Sequence, residues 1–168
     1  MFNLVRPVTA ADITEFVEWR YGPPYDIYNL SQPLAEAVEY FLSPGIGCQV
    51  LETDEGLAGY CTFGEDARVP GGDYSIPALD IGVALKPTLT GRGYGTRFVA
   101  AIVDFVMRSS DAMRVRVSIA ATNTRAIRVW IANGLAETQR FHTQREVLGT
   151  TEFVILERDL AAEASEGA

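Results

Sequence analysis

One stretch constrains this chain more than any other: Ala78-Leu-Asp-Ile-Gly-Val-Ala-Leu-Lys-Pro87, then Thr90-Gly-Arg-Gly-Tyr-Gly95, then an apolar series at Phe98, Ile102, Phe105 and Val106. The first part reads as a strand over 78–85, ended by Lys86-Pro87. The last part has helical spacing. Between them stand three glycines within five residues. A glycine turn between strand and helix lets the backbone approach a ligand closely and aims the first helical N–H groups at an anion; a tight turn that needs glycine for its geometry alone is the alternative. Known nucleotide motifs fit poorly. A P-loop needs Gly-Lys-Ser/Thr, and no lysine follows Gly91. A dinucleotide fingerprint needs glycines at 91, 93 and 96, but Thr96 takes the last place. Asp111 falls about 20 residues on, as that fingerprint asks, but in a turn. The strands before the turn also read as a hairpin meander, unlike a doubly wound sheet.

The other elements set this unit in a mixed sheet. Residues 3–8 read as a strand. Thr9 to Asp12 reads as a capping box opening a helix through Ile13, Phe16 and Val17. After the loop RYGPPYDIYNL, a second helix begins around Ser31 and Pro33 and stops at Ser43-Pro44-Gly45. A hairpin follows over 46–53 and 57–64, then a polar loop EDARVPGGDYS. Beyond the glycine turn come a strand at 114–120, a helix at 123–133 with Asn133-Gly134 as its stop, and strands near 135–142 and 151–158. The order is β-α-α-β-β-β-α-β-α-β-β. The expected fold class is α/β: a mixed, mostly antiparallel sheet flanked by helices, with one central βαβ unit carrying the glycine turn. Residues 1–160 are expected to form a single domain, with 161–168 a frayed tail.

Charge narrows the partners. Fourteen basic residues against 22 acidic ones give a net charge of −8. A nucleic-acid binder needs a basic footprint, so nucleic acid and anionic membrane surfaces are disfavoured. No apolar run reaches the length of a membrane span, and no signal h-region opens the chain. A cytoplasmic location is the expectation. The two cysteines, Cys48 and Cys61, lie on adjacent expected strands and could pair, with two buried thiols as the plainer alternative. No Cys/His spacing suits a metal.

Taken with its surroundings, the turn resembles the GNAT superfamily of acyl-CoA-dependent N-acetyltransferases. The stretch from Asp80 to Pro87 followed by Gly91-Arg-Gly-Tyr-Gly95 is similar to that family's strand and pyrophosphate loop. The stretch Asn123-Thr-Arg-Ala126-Ile-Arg-Val129-Trp130-Ile-Ala-Asn133-Gly134-Leu135 is similar to its N-x-x-A/S helix. The Gly-Arg-Gly-Tyr-Gly wording is closest to the branch that includes ribosomal-protein N-terminal acetyltransferases.

The resemblance implies acetyl-CoA as cofactor. Its pyrophosphate would sit on Thr90, Gly91, Arg92, Gly93, Tyr94, Gly95 and Thr96. Val83, Ala84 and Leu85 would offer backbone groups to the pantetheine arm and thioester. Asn123 would be a helix cap, a cofactor contact, or both. Thr90 departs from the Gln or Arg of many members, but its hydroxyl can donate to phosphate. Trp130 stands where many members carry a Tyr that protonates the leaving thiolate. Ala126 stands where some carry Ser. Neither can supply a proton. Asp80 is the first candidate base for the amine, with a structural carboxylate as the alternative. Glu65 and Asp66 come second, and the lone His142 last. Tyr25 and Tyr28 are the candidate substrate-binding residues, in the aromatic and acidic segment 19–29 where the family's acceptor-lining elements lie; an aromatic loop packed over the sheet is the alternative.

The implied activity is acetyl transfer to a primary amine, a small amine or a peptide N-terminus, by direct attack in a ternary complex. The acidic surface favours a cationic or neutral acceptor, such as a peptide N-terminus, a polyamine or an aminoglycoside-like molecule. Two other classes compete: an acyl-CoA-binding sensor or regulatory module with little turnover, and a nucleotide-binding α/β protein. The final hairpin could offer a homodimer surface.

Overall fold

The computed structural model describes Phe2 and residues 4–160; the expected tail 161–168 lies outside the described residues. The elements are β1 (Leu4–Pro7), α1 (Ala10–Phe16), α2 (Leu34–Leu42), β2 (Gln49–Thr53), β3 (Gly56–Phe63), β4 (Leu79–Leu85), α3 (Tyr94–Ser109), β5 (Arg114–Ala120), α4 (Thr124–Ala132), β6 (Ala136–Val147) and β7 (Thr150–Asp159). The order is the expected one. The last hairpin is longer than its sequence pattern suggests, because exposed residues carry β6 to Val147.

Local chemistry sets the helix starts. Thr9 caps α1, and both halves of the capping box with Asp12 form. Asp12 is also held by Arg6 at 2.7 Å, which keeps its carboxyl below the usual range. Asn123 caps α4 by accepting from the Ala126 N–H. In α3 the capping position is Gly93 in the left-handed conformation, with no side-chain cap. The first N–H groups of α3 are therefore free for something else.

One sheet runs β1-β2-β3-β4-β5-β7-β6. Every pairing is antiparallel except β4 with β5. One face packs against α3 and α4 around Phe98, Ile102, Val117 and Trp130. The other packs against α1 and α2 around Ile13, Phe16, Phe41 and Val50. Cys61 belongs to the first core and Cys48 to the second. They sit on opposite faces of the sheet, so both thiols are free. Burial pushes the Cys48 thiol up to about 12. Among the described residues, no helix is long and apolar enough to cross a membrane.

The feature that makes a site is a split in the sheet. Strand β4 pairs with β5 only at Leu79↔Val115 and Asp80↔Arg116, while its pairing with β3 runs on from Ile81 to Leu85. Beyond Asp80 the two parallel strands diverge. On the β3 side the Lys86 N–H bonds Ala58 O and the Gly64 N–H bonds Asp80 O. Hydrogen-bonding sense alternates along a strand, so Gly82 and Ala84 bond β3 while Val83 and Leu85 turn their backbone groups into the split.

Candidate active site

A cavity of about 510 Å³ occupies the split. One wall is the free edge of β4, with Val83, Ala84 and Leu85. Its outer end is the glycine turn. Gly91 has φ 69° and Gly93 φ 82°. Side chains rarely adopt this conformation, and the space a Cβ would take at either glycine is open. At Gly95 a Cβ would lie 3.1 Å from a methyl of Val129, so this glycine lets α3 approach α4. Thr90, Gly91, Gly93, Gly95 and Thr96 border the cavity; Arg92 and Tyr94 do not. Arg92 is exposed and donates to Thr88 O at 3.3 Å. The Thr90 hydroxyl donates to Pro87 O at 2.7 Å. In this structure its proton closes the turn, and the groups of the turn that remain open are backbone N–H groups.

The opposite wall is a strap over residues 21–32. Asn29 ties it into a loop: its Oδ1 accepts from the Tyr21 N–H at 2.7 Å, and its Nδ2 donates to Tyr21 O at 3.4 Å. Three aromatic side chains then bridge the split. The Tyr21 hydroxyl donates to Leu85 O at 2.7 Å, one of the carbonyls on the free edge of β4. The Tyr25 ring lies under the Arg125 guanidinium, 3.8 Å from centroid to Cζ. The Tyr28 hydroxyl accepts from Asn123 Nδ2 at 3.0 Å. Asn123 is thus both the cap and a cavity residue. Tyr25 and Tyr28, the expected substrate-binding residues, line the cavity. Asp26, their acidic neighbour, does not.

The base expected at Asp80 is corrected by its surroundings. Asp80 is 2% exposed and does not border the cavity. Arg116 Nε reaches Oδ1 at 2.6 Å, Arg116 Nη2 reaches Oδ2 at 2.9 Å, and Arg68 Nε reaches Oδ2 at 2.8 Å. Arg116 is fully buried, donates also to Ile76 O at 2.8 Å, and is covered by the Tyr74 ring at 4.7 Å. A buried ion pair persists where further hydrogen bonds satisfy both ions. Asp80 and Arg116 are also register partners in the short β4–β5 ladder. Their ion pair pins the strands at the point where they begin to diverge. Asp80 is a structural carboxylate that fixes the base of the split.

The second-choice acids do not replace it. Asp66 accepts from the Tyr40 hydroxyl, Glu65 lies 3.7 Å from Arg68, and neither borders the cavity. His142 stands on β6 opposite Glu152 and is also absent from the lining. Trp130 is 2% exposed and borders the cavity with Ala126, so α4 offers it no proton donor there.

Sequence reasoning missed two contributors. Arg125 is the one formally charged side chain on the cavity wall among the described residues. Its signal was available: it follows the Asn123 cap by two positions, in the first turn of a helix facing the glycine turn. Leu148, at φ 51° in the β6–β7 turn, closes the cavity from the far end of the chain. Beside it Gly149 stands 3.6 Å from Ile27 of the strap, measured from the position of an added Cβ. No local pattern marks a contact between segments so distant in sequence. Among the described residues, no group of His, Cys, Asp or Glu could hold a metal ion.

Comparison with known proteins agrees with this geometry. The family described as "Acetyltransferase (GNAT) domain" matches residues 4–136. Comparison with the curated proteins finds no match. Among solved structures, the chain is similar to a chimera of the Vibrio cholerae spermidine N-acetyltransferase SpeG and hSSAT: TM-score 0.76, 13% identity, 96% of this chain and 97% of that one covered. It is similar to aminoglycoside acetyltransferase AAC(6')-Ib in complex with coenzyme A, with TM-score 0.76, 18% identity and 98% of each chain covered. It is also similar to yncA, a putative acetyltransferase from Salmonella typhimurium with acetyl-CoA, with TM-score 0.67, 17% identity, and 94% and 93% covered. The chain belongs to the GNAT acetyltransferase family, whose acyl donor is acetyl-CoA.

Proposed function

We propose that this chain transfers an acetyl group from acetyl-CoA to a primary amine by direct attack, with both molecules bound at once. One observation carries the reading: the edge of β4 that β5 leaves unpaired is joined, through a short turn at Pro87–Leu89, to two left-handed glycines and a helix that has no side-chain cap. These are two neighbouring sets of backbone groups, and nothing lies within 4 Å of where a Cβ would stand at Gly91 or Gly93, so an anion can approach the amides there. The donor set therefore fits coenzyme A. Bound there, acetyl-CoA supplies an acyl carbon activated as a thioester.

The chain's own groups do the rest. Amides 91–96 hold the pyrophosphate. The backbone of Val83 faces the arm, and its N–H is placed to meet the charge that develops on the acyl oxygen. Tyr25 and Tyr28 flank the amine. The spermidine and aminoglycoside named for two structural neighbours are polycations. In this cavity no carboxylate lines the wall among the described residues, and Arg125 is the one charged side chain. A polycation's spare ammonium groups would meet no counter-charge. The acceptor is therefore a primary amine on a neutral, partly apolar body, a peptide N-terminus included.

The test pairs calorimetry of acetyl-CoA with thiol release over a panel: an apolar primary amine, a neutral peptide with a free N-terminus, spermidine and an aminoglycoside. Binding with turnover of the first two is the expected result. Binding without turnover across the panel would leave an acyl-CoA-binding module. No binding would overturn both.

A further inference from the structure

The geometry points to Tyr28 as the acid that protonates the leaving sulfur, with Asn123 as its positioning residue. This rests on the transferase reading above. A free thiol titrates near about 8.5, so in water the thiolate leaves readily. Inside an apolar cavity a bare thiolate is costly, and the α4 positions where relatives carry a hydroxyl hold Trp130 and Ala126, beside Arg125 and Val129 on the same wall.

Four tyrosines border the cavity: Tyr21, Tyr25, Tyr28 and Tyr60. The Tyr21 proton is committed to Leu85 O, and burial pushes its phenol up to about 12. Tyr60 is stacked 4.3 Å from Phe16 in the α1–α2 core, and burial pushes its phenol well above the usual range. The Tyr25 ring is covered by Arg125.

Tyr28 differs in the sense of its hydrogen bond. Asn123 Oδ1 is fixed as the acceptor of the Ala126 N–H at 3.1 Å, so the amide group facing Tyr28 is the Nδ2 donor. The Tyr28 oxygen accepts, and its own hydrogen is left for the cavity, beside the first turn of α4 where Ala126 supplies no hydroxyl. Burial raises the Tyr28 phenol, and the Asn123 hydrogen bond opposes that rise.

In the step, the amine nitrogen bonds the acyl carbon, the C–S bond breaks, and its electron pair stays on sulfur. The proton on Tyr28 Oη passes to that sulfur. The surplus proton on nitrogen leaves to water at the cavity mouth, and water returns one to the phenolate. Atoms and charge balance with no other reactant.

The first test needs no turnover. In protein labelled with ¹³Cζ-tyrosine, the Tyr28 resonance should take different positions with coenzyme A and with desulfo-coenzyme A. Identical positions would show that the hydroxyl does not meet the sulfur, and would overturn the inference. Kinetically, Tyr28→Phe should lower kcat by about 10²-fold with little change in the KM for acetyl-CoA. Asn123→Asp keeps a cap acceptor but draws the phenolic hydrogen away, and should lower kcat comparably. A fluorinated tyrosine at position 28 preserves shape and lowers the phenol pKa. The alkaline limb of kcat should move down with it, which a purely structural role would not produce. A Tyr28→Phe enzyme with full kcat, or one changed only in the KM for the amine, overturns this inference alone. A wild type that binds acetyl-CoA and acetylates nothing overturns the transferase reading together with it.

Discussion

The two walls of the cavity are made of different material. The β4 wall and its glycine turn act through the backbone: the free N–H groups of the α3 start and the unpaired edge at Val83 and Leu85. The strap over 21–32 acts through side chains: Tyr21, Tyr25, Tyr28 and Asn29, held by contacts to distant residues or to their own loop. A backbone wall recognises what every acyl-CoA shares and tolerates side-chain change wherever φ allows. Apart from Tyr28, a side-chain wall can be rebuilt for a different acceptor while the backbone contacts to the cofactor stay in place. Substitutions in the two walls should therefore separate donor binding from acceptor binding.

The largest effect is expected beneath both walls. Asp80→Ala leaves the buried Arg116 guanidinium with its main counter-charge gone, and should destabilise the fold by about 3–5 kcal/mol in urea unfolding. Asp80→Asn, with a smaller loss of stability, should retain most of kcat in its folded fraction at low temperature. A stable Asp80→Asn protein whose kcat falls a hundredfold or more would restore Asp80 as the base and erase the distinction between foundation and wall.

Next in size is Gly93→Val. The native φ of 82° is one that valine rarely adopts, and the added side chain fills the approach to the α3 amides. Acetyl-CoA affinity should fall about 100-fold, a loss of about 2.7 kcal/mol. Calorimetry on a folded variant, checked by circular dichroism, decides it. Unchanged affinity would mean that the turn does not hold the cofactor.

These two positions also show what a sequence reveals. Gly91 and Gly93 were legible because a backbone requirement selects one residue type and leaves it beside a recognisable strand end and helix start. The Thr9–Asp12 capping box and the Asn123 cap were legible for the same reason, since their partners lie three residues away. Asp80 was visible as a lone acid in an apolar strand, but its role was not. That role depends on Arg116, 36 positions on, and on Arg68 in a loop that sequence describes only as polar. The strap's aromatics were visible as a cluster. The choice of Leu85, Arg125 and Asn123 as their partners arises only when the sheet splits.

Asn29→Ala sharpens the comparison from the other wall. It leaves the Tyr21 N–H without its acceptor, a loss of about 1–3 kcal/mol where the site is closed to water. Because the strap is ordered by that bond, the KM for the amine should rise about tenfold while the calorimetric affinity for acetyl-CoA stays within about twofold, the two readouts diverging. A parallel loss in both would show that the walls do not act independently.

The smallest effect tests where the net charge of −8 acts. Surface charge raises the concentration of a cationic amine near the protein, and salt screens that field beyond about 8 Å at physiological ionic strength. Inside the cavity the lining opposes it, since Arg125 is the one charged side chain there and Asp26 stands outside. Steering can therefore speed the encounter but cannot stabilise a cation once bound. For a singly charged apolar amine, kcat/KM should fall by about two- to threefold between low and physiological salt, with kcat unchanged. A neutral amine of the same shape, presented at a pH above its own pKa, should show no such fall. A tenfold or greater salt effect carried by kcat would place a carboxylate against the bound ammonium, and the strap would then be an electrostatic wall in place of an aromatic one.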